Sequence, residues 1–397
     1  MKRAFIISIG ILTGMALLLL SASPTLAQEK ETLKIGVLTS LSGGAASWGI
    51  ATLRGTELMA DKINAAGGVK IGNKSHRIEI IKADDKGSPD TALTEANRLV
   101  FNEKLKFIIG PNISACTLAI LPVTERNQVF NTNFSYSDKA LGADKPHTFR
   151  LYSAGREYSS AIYNYLAKNR PDLKTVALIG PNDQSGWDNS KIAKEMASEL
   201  GLKVVFEDYV QRGTTDYFPV LTKLIAKNPE VITPIAMVDG MAALTMQQAR
   251  QLGYKGAFAF NTFHDLNAVS EKAGWEAMEG MININIENTN PNAPPGMKDV
   301  FESYTKKYQE KFSVVTNAVY PVLWILKLGM EKAGSLDPTI VAKALETLEG
   351  EHPYSGPFTM GGLKTYGAKH QIVAPIFMSE VKKGKQVYLG YVVPPVP

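Results

Sequence analysis

The chain has 397 residues, 45% of them hydrophobic and 20% charged, and a formal net charge of +5 that falls to +3 once Lys2 and Arg3 are set aside. A single core stops growing near ~250–300 residues, so two domains are expected. The remaining charges alternate in sign with no basic tract, which argues against nucleic acid or an anionic membrane as partner, and a single cysteine excludes an internal disulfide.

The first segment, residues 1–27, reads MKRAFIISIGILTGMALLLLSASPTLA: two cations, an apolar run, then small residues. That order predicts a secretory signal peptide cleaved near Ala27, with Gly10, Thr13 and Gly14 interrupting what would otherwise be an uncleaved anchor.

Short β-branched runs then alternate with longer amphipathic segments, each run ending in Gly, Asn, Asp, Ser or Pro. This rhythm predicts an α/β chain. The first series predicts strands at LKIGVL, HRIEIIKADD, KFIIG and VFNTN, with helices over Gly49 to Ala66, Pro89 to Asn102 and Ser114 to Asn127, and it closes near Arg150. A second series opens with the helical REYSSAIYNYLAKN. Strands follow at TVALIGP, KVVFEDYV, VITPIAM and GAFAFNTF, with helices over Gly186 to Leu200, Tyr217 to Ala226 and Met241 to Leu252.

The last third breaks the rhythm. GMININI is a strand, and helices over Lys298 to Phe312, Ala318 to Ala333 and Pro338 to Leu348 come together. The two alternating runs of QIVAPIFMSEVKKGKQVYLGYVV, with Lys383-Gly384 between them, predict a β-hairpin. Such a tail is not expected to make a third sheet; its helices should return to the first unit and its hairpin to the second.

Open α/β sheets bind ligands at the carboxyl ends of their strands, so the candidate residues are those just after each apolar run. In the first unit these loops are SLSGGAASWG, GPNISAC and NFSYSD, which supply Trp48, Ser114, Phe134, Ser135, Tyr136 and Ser137. Ser114 sits where an N-cap would, at a helix start whose free N–H groups favour a ligand carboxylate; plain capping is the competing reading. The second unit supplies GPNDQSGWDN, MVDGM and NTFHDLN, hence Asp183, Trp187, Asp239, Phe263, His264 and Asp265, with carboxylates and aromatics but no lysine or arginine. A cationic ligand group would pair with Asp239 or Asp265, and an apolar one would lie on Trp48 or Trp187. Each Asp has helix capping as its alternative.

Catalytic readings are poorer. Cys116 as nucleophile with His264 as base would need strand ends of two domains to meet with no third member visible. The five histidines are scattered without ligand spacing, Gly36 and Gly43-Gly44 make no dinucleotide fingerprint and no Walker sequence occurs, so no metal and no cofactor is expected.

LKIGVLTSLSGGAASWG, RGTELMADKINAAGGVKIGNKSHRIEIIKADD, IIGPNISACTLAILPV, TVALIGPNDQSGWDNSK and AVYPVLWILKLGMEKAGS together resemble the periplasmic solute-binding proteins of ABC importers, of the branched-chain amino acid (leucine/isoleucine/valine-binding) type. The resemblance covers essentially all of the chain after residue 27. It implies the type I periplasmic binding (Venus-flytrap) fold: two Rossmann-like lobes joined by three crossovers, closing on a ligand between them. Lobe 1 is then expected at 28–150 plus 278–352 and lobe 2 at 151–277 plus 353–397.

The implied function is capture of a small carboxylate-bearing solute for an inner-membrane ABC permease, by a non-enzymatic, periplasmic monomer. A branched-chain or other amino acid is the family default; an aromatic carboxylic acid, amide or urea is the alternative. Carried over motif by motif, the implied ligand residues are Trp48, Ser114, Ser135 and Ser137 in the first lobe. In the second the match loosens to Trp187, Asp239, His264 and Asp265, with SGW where the family has an aromatic-glycine pair. The lone Cys116 also departs from the cysteine pair of leucine-binding members. A sensory ligand-binding subunit and a Cys116-dependent hydrolase are the readings from other classes.

Overall fold

The structure is a computed structural model that describes residues 30–395. The signal peptide expected at residues 1–27 lies outside the described residues.

Two parallel sheets dominate. The first has the order β2-β3-β1-β4-β5-β6, made of β1 (Lys30–Thr39), β2 (Val69–Ile71), β3 (Lys74–Asp84), β4 (Phe107–Ile109), β5 (Phe130–Thr132) and β6 (Thr148–Phe149). Only β2, the short return before β3, runs antiparallel. The second has the order β10-β9-β7-β8, from β7 (Thr175–Pro181), β8 (Lys203–Val210), β9 (Val231–Pro234) and β10 (Ala257–Phe258), all parallel. The strand order reverses between β1 and β4 in one sheet and about β7 in the other. Loops diverge at those points and leave a crevice, so both sheets offer a binding edge at their carboxyl ends.

Helices cover the faces: α1 (Ala46–Ala65), α2 (Pro89–Asn97) and α3 (Ser114–Arg126) on the first sheet, then α4 (Gly155–Asn169), α5 (Gln184–Glu199), α6 (Phe218–Ile225), α7 (Asp239–Gln251) and α8 (Leu266–Ala273) on the second. The starts of α2, α5 and α8 are capped by side chains. Ser88 accepts from the Thr91 amide with Pro89 next to it, and Asp183 accepts from the Ser185 and Gly186 amides at 2.9 and 3.2 Å. The helix expected over Pro89 to Asn102 is α only as far as Asn97, and Arg98–Asn102 widens into a π turn. GAFAFNTF pairs as a strand only over Ala257–Phe258, since the rest turns toward the cleft.

The tail departs from expectation. Helices α9 (Pro295–Tyr308), α10 (Val315–Ala333) and α11 (Pro338–Glu346) do gather, and α10 lies so close on α1 that a Cβ at Gly55 would stand 2.6 Å from Val319. Two small antiparallel sheets also form, contrary to the expectation of none. One is β12 (Glu349–His352), β13 (Gly356–Gly361) and β14 (Gln371–Val373), with the single turn α12 (Leu363–Tyr366) before β14. The other is β11 (Ile282–Asn283), β15 (Ile376–Lys382) and β16 (Lys385–Val392). Each hooks onto a main sheet by one bridge, Arg150 with Gln371 and Ala259 with Ile282. The hairpin turn is as read, with Lys383 and Gly384 both at positive φ.

One hydrophobic cluster runs unbroken from Ile35 and Phe107 in the first unit through Tyr152 and Tyr158 to Val176 and Ile232 in the second. A smaller one, behind the first sheet, holds Leu38, Ile108, Ile113, Ile120 and Cys116. No helix among the described residues is long and apolar enough to cross a membrane.

Candidate functional site

The carboxyl ends of the two sheets face each other, and their loops meet. The Ser114 amide in the first unit donates to the Ser185 hydroxyl in the second at 3.0 Å, both residues being fully buried. Behind that contact the wall is aromatic. Trp48 and Tyr136 have ring centroids 6.2 Å apart, Phe134 and Tyr152 5.1 Å, Tyr152 and Tyr158 5.9 Å, and Tyr158 and Phe263 5.1 Å. The phenols of Tyr136 and Tyr158 both reach that of Tyr152, and burial first of all pushes the pKa of all three up. All three are therefore neutral hydroxyls able to donate or accept.

Close backbone approaches hold this wall. Helix α1 starts against the loop after β1, with Gly49 so near that a Cβ would fall 1.8 Å from the Ser40 carbonyl oxygen; this seats Trp48 in the cleft. Gly110, at φ +101°, crosses the Leu38 carbonyl equally closely and turns the chain out of β4. Asn112 then bonds Thr39 and, at 3.0 Å, Thr52, tying the loops after β1 and β4 together.

The gap left among Trp48, Asn112, Phe134, Tyr136, Tyr152 and Phe263 is about 10 Å³, room for about one water. A larger chamber of about 60 Å³ lies on the far side of Tyr152 and Phe263, toward the segments that connect the units, and is lined by Asn285, Asn317, His352, Tyr354 and Ser355 among others. The strand-end gap lies where the fold directs a ligand, and the chamber adjoins it.

Several expected site residues have other duties. Ser114 is not the N-cap of α3; Ile113 holds that position, and the Ser114 hydroxyl accepts from the Tyr136 amide at 3.1 Å. Ser135 accepts from the Ser137 amide and Ser137 from the Lys139 amide, so both brace the loop that carries Tyr136. Trp187 is 46% exposed, bonds Asn182 through its indole N–H and does not line the ring cleft. Asp183 and Asp265 cap α5 and α8, as their alternative reading had it.

Asp239 accepts from His264 Nδ1 at 2.9 Å and from the Asp265 amide at 3.3 Å, while His264 Nε2 lies 2.8 Å from the Thr262 hydroxyl. Both ring nitrogens of His264 are thereby engaged, so it is no base for Cys116. Cys116 is fully buried, more than the partial burial its place in a first helical turn suggests, and desolvation raises its thiol far above the usual range. Among the described residues no group of three or more His, Cys, Asp or Glu is placed to hold a metal.

A cation was missed. Arg212, two residues past β8, reaches the cleft: its Nε donates to Asp183 Oδ2 at 2.6 Å and its guanidinium carbon is 5.9 Å from the Trp48 ring. The loop QRG ends a strand like the other loops considered, but its charge reads from sequence as ordinary surface.

A family model described as periplasmic binding protein matches residues 32–386. A Leu/Ile/Val-binding protein homologue of Brucella melitensis is 26% identical over 349 residues, covering 87% of this chain and 90% of the relative. Among solved structures, a leucine-binding protein of Thermotoga maritima superposes with a TM-score of 0.74 at 23% identity, covering 92% of this chain and 99% of that one. A solute-binding protein from R. palustris in complex with benzoate gives 0.75 at 21%, covering 91% and 97%.

Proposed function

The chain belongs to the periplasmic binding protein family, and from that premise we propose that it captures a small aromatic carboxylate between its lobes for an inner-membrane ABC permease. The observation that carries the ligand class is the cleft wall. It is built from six aromatic rings of both lobes, while the two acids that could face an ammonium group, Asp239 and Asp265, are taken up by protein donors. An apolar ring with a polar edge suits that lining, as rings stack offset or edge-on and the phenols take the edge.

A ligand the size of benzoate is far larger than the residual gap of about 10 Å³. Entry therefore requires the lobes to part, and closing on the ligand is the signal offered to the permease. The lobe division that fits the bridges is 30–150 with 287–373, and 151–286 with 374–395. Relative to the sequence-based boundaries, this moves 353–373 to the first lobe because Gln371 pairs with Arg150, and 278–286 to the second because Ile282 pairs with Ala259 and Glu380.

A branched-chain amino acid is the second reading, supported by the Leu/Ile/Val-binding relatives. Calorimetry of the chain from residue 28 with benzoate, 4-hydroxybenzoate, leucine and isoleucine separates the two. Saturable heat with the benzoates alone is expected; binding of leucine or isoleucine alone would reverse the assignment, and no heat with any of the four would remove both.

A further inference from the structure

Arg212 is partly buried, its side chain 15% exposed, with its guanidinium only partly used. Nε serves Asp183, yet Nη1 and Nη2 are shielded from solvent and have no acceptor among the described residues. A guanidinium offers its N–H donors in one plane, and the two Nη groups left over make the fork that matches a carboxylate. Leaving such donors unpaired in a dry site is strongly unfavourable.

The surroundings favour an anion there. The Trp48 ring lies beside the guanidinium, and Arg212 is near enough to Tyr136, Tyr217 and Cys116 to bias the ionisation of all three. The Tyr217 hydroxyl is itself fully buried and has no partner among the described residues. Among the described residues no acid except Asp183 bonds the guanidinium, and Asp183 is held in turn by the Ser185 and Gly186 amides. On the other lobe, Ser114, Ser135 and Ser137 already accept backbone bonds.

We propose that Arg212 is the anchor of the ligand's carboxylate: its Nη pair grips the anion beside Trp48, so the charged end of the ligand is held from the second lobe. Asp183 is the positioning residue, taking Nε and turning the fork toward the cleft. This inference rests on the reading of the ligand as a small carboxylate. It makes the carboxylate a latch, because the group that holds it belongs to one lobe and the ring against which it lies to the other. It also sets specificity, since an amide of the same shape offers one neutral oxygen where the fork expects two charged ones.

The test is calorimetry with benzoate, benzamide and leucine on the wild-type chain and on Arg212→Gln and Arg212→Lys, with circular dichroism confirming the fold of each. Benzoate should bind the wild type about 100-fold more tightly than benzamide, and Arg212→Gln should lose about that factor. Arg212→Lys, which keeps the charge without the fork, should fall between. If benzoate binds but its affinity is unchanged in Arg212→Gln, or benzamide matches benzoate, the anchor is wrong while the aromatic ligand stands. If leucine binds in place of benzoate and is lost in Arg212→Gln, the anchor stands and the aromatic class fails. If neither carboxylate binds the wild type, both fail together.

Discussion

The Ser114 amide and the Ser185 hydroxyl, one in the first turn of α3 and the other in the first turn of α5, form a buried hydrogen bond of 3.0 Å that crosses from lobe to lobe. Asp183 aims the acceptor, because it caps α5 through the Ser185 amide. The bond exists only while the lobes touch, so it favours the closed form. Removing its acceptor in Ser185→Ala leaves a buried N–H and should cost the closed form about 1–2 kcal/mol. The expected readout is a roughly 5- to 30-fold weaker ligand with an almost unchanged association rate, measured by stopped flow. An affinity within about twofold of wild type would mean that water replaces the hydroxyl freely.

The α/β rhythm made most of this fold legible, because each parallel strand needs a long return and the apolar runs and helical stretches alternate accordingly. What was lost has physical causes. The strands β12 and β13 are short, partly exposed and poor in β-branched residues, as in Glu349–His352, so no alternation announced them. At the candidate site, strand ends alone point to Trp48 and the loops after β1 and β4, which line the gap. They do not point to Tyr152 and Tyr158, since these lie in the connection to α4 and on that helix, where an aromatic reads as core. Ser114 looks like a cap in the sequence and instead holds the Tyr136 amide. Arg212 was passed over because whether an arginine points at solvent or into a cleft depends on its partner, here Asp183, 29 residues away.

Cys116 should be chemically silent. It is fully enclosed by Leu38, Ile108, Ile113 and Ile120, and desolvation, the largest effect on its thiol, holds it in the neutral form that neither alkylates nor ligates metal. Iodoacetamide should leave the native chain unmodified and label it fully in denaturant. Cys116→Ala should keep ligand affinity and lose about 1 kcal/mol of stability through the small cavity. Rapid labelling of the native chain, or turnover of an ester by wild type but not by Cys116→Ala, would bring back the nucleophile.

Gly49 and Gly240 both lie in helices, at the starts of α1 and α7, yet opposite outcomes are expected from alanine. At Gly49 the new methyl would sit 1.8 Å from the Ser40 carbonyl oxygen, so α1 must shift away from the loop after β1 and take Trp48 with it. Gly49→Ala should lose about 1–3 kcal/mol by urea denaturation and weaken the ligand as well. At Gly240 the nearest atom is the flexible end of Lys272, 3.5 Å away, and the substitution should be neutral or stabilise by up to about 1 kcal/mol. Equal effects at the two sites would show that the approach at Ser40 relaxes without cost.

Glu287 gives the chain a stability that declines toward alkaline pH. Burial pushes its carboxyl up to about 8 from an ordinary value of 4.5, helped by the neighbouring Asp265 and Asp239 and opposed by the Leu266 amide, which it accepts at 3.0 Å, and by Lys311. Asp265 is raised as well, again first by burial. The native state thus keeps a proton on Glu287 that the unfolded chain gives up above 4.5. Between those two values the native form binds more protons, so its stability is fully present at the acid end of the window and is lost as pH rises through about 8. Urea midpoints measured from about pH 5 to about pH 8.5 should fall across that span in the wild type and fall much less in Glu287→Gln, which keeps an acceptor for Leu266 without the charge. A wild-type profile that is flat or rises over this interval would show that Lys311 and the Leu266 amide outweigh burial and that Glu287 is charged in the folded chain.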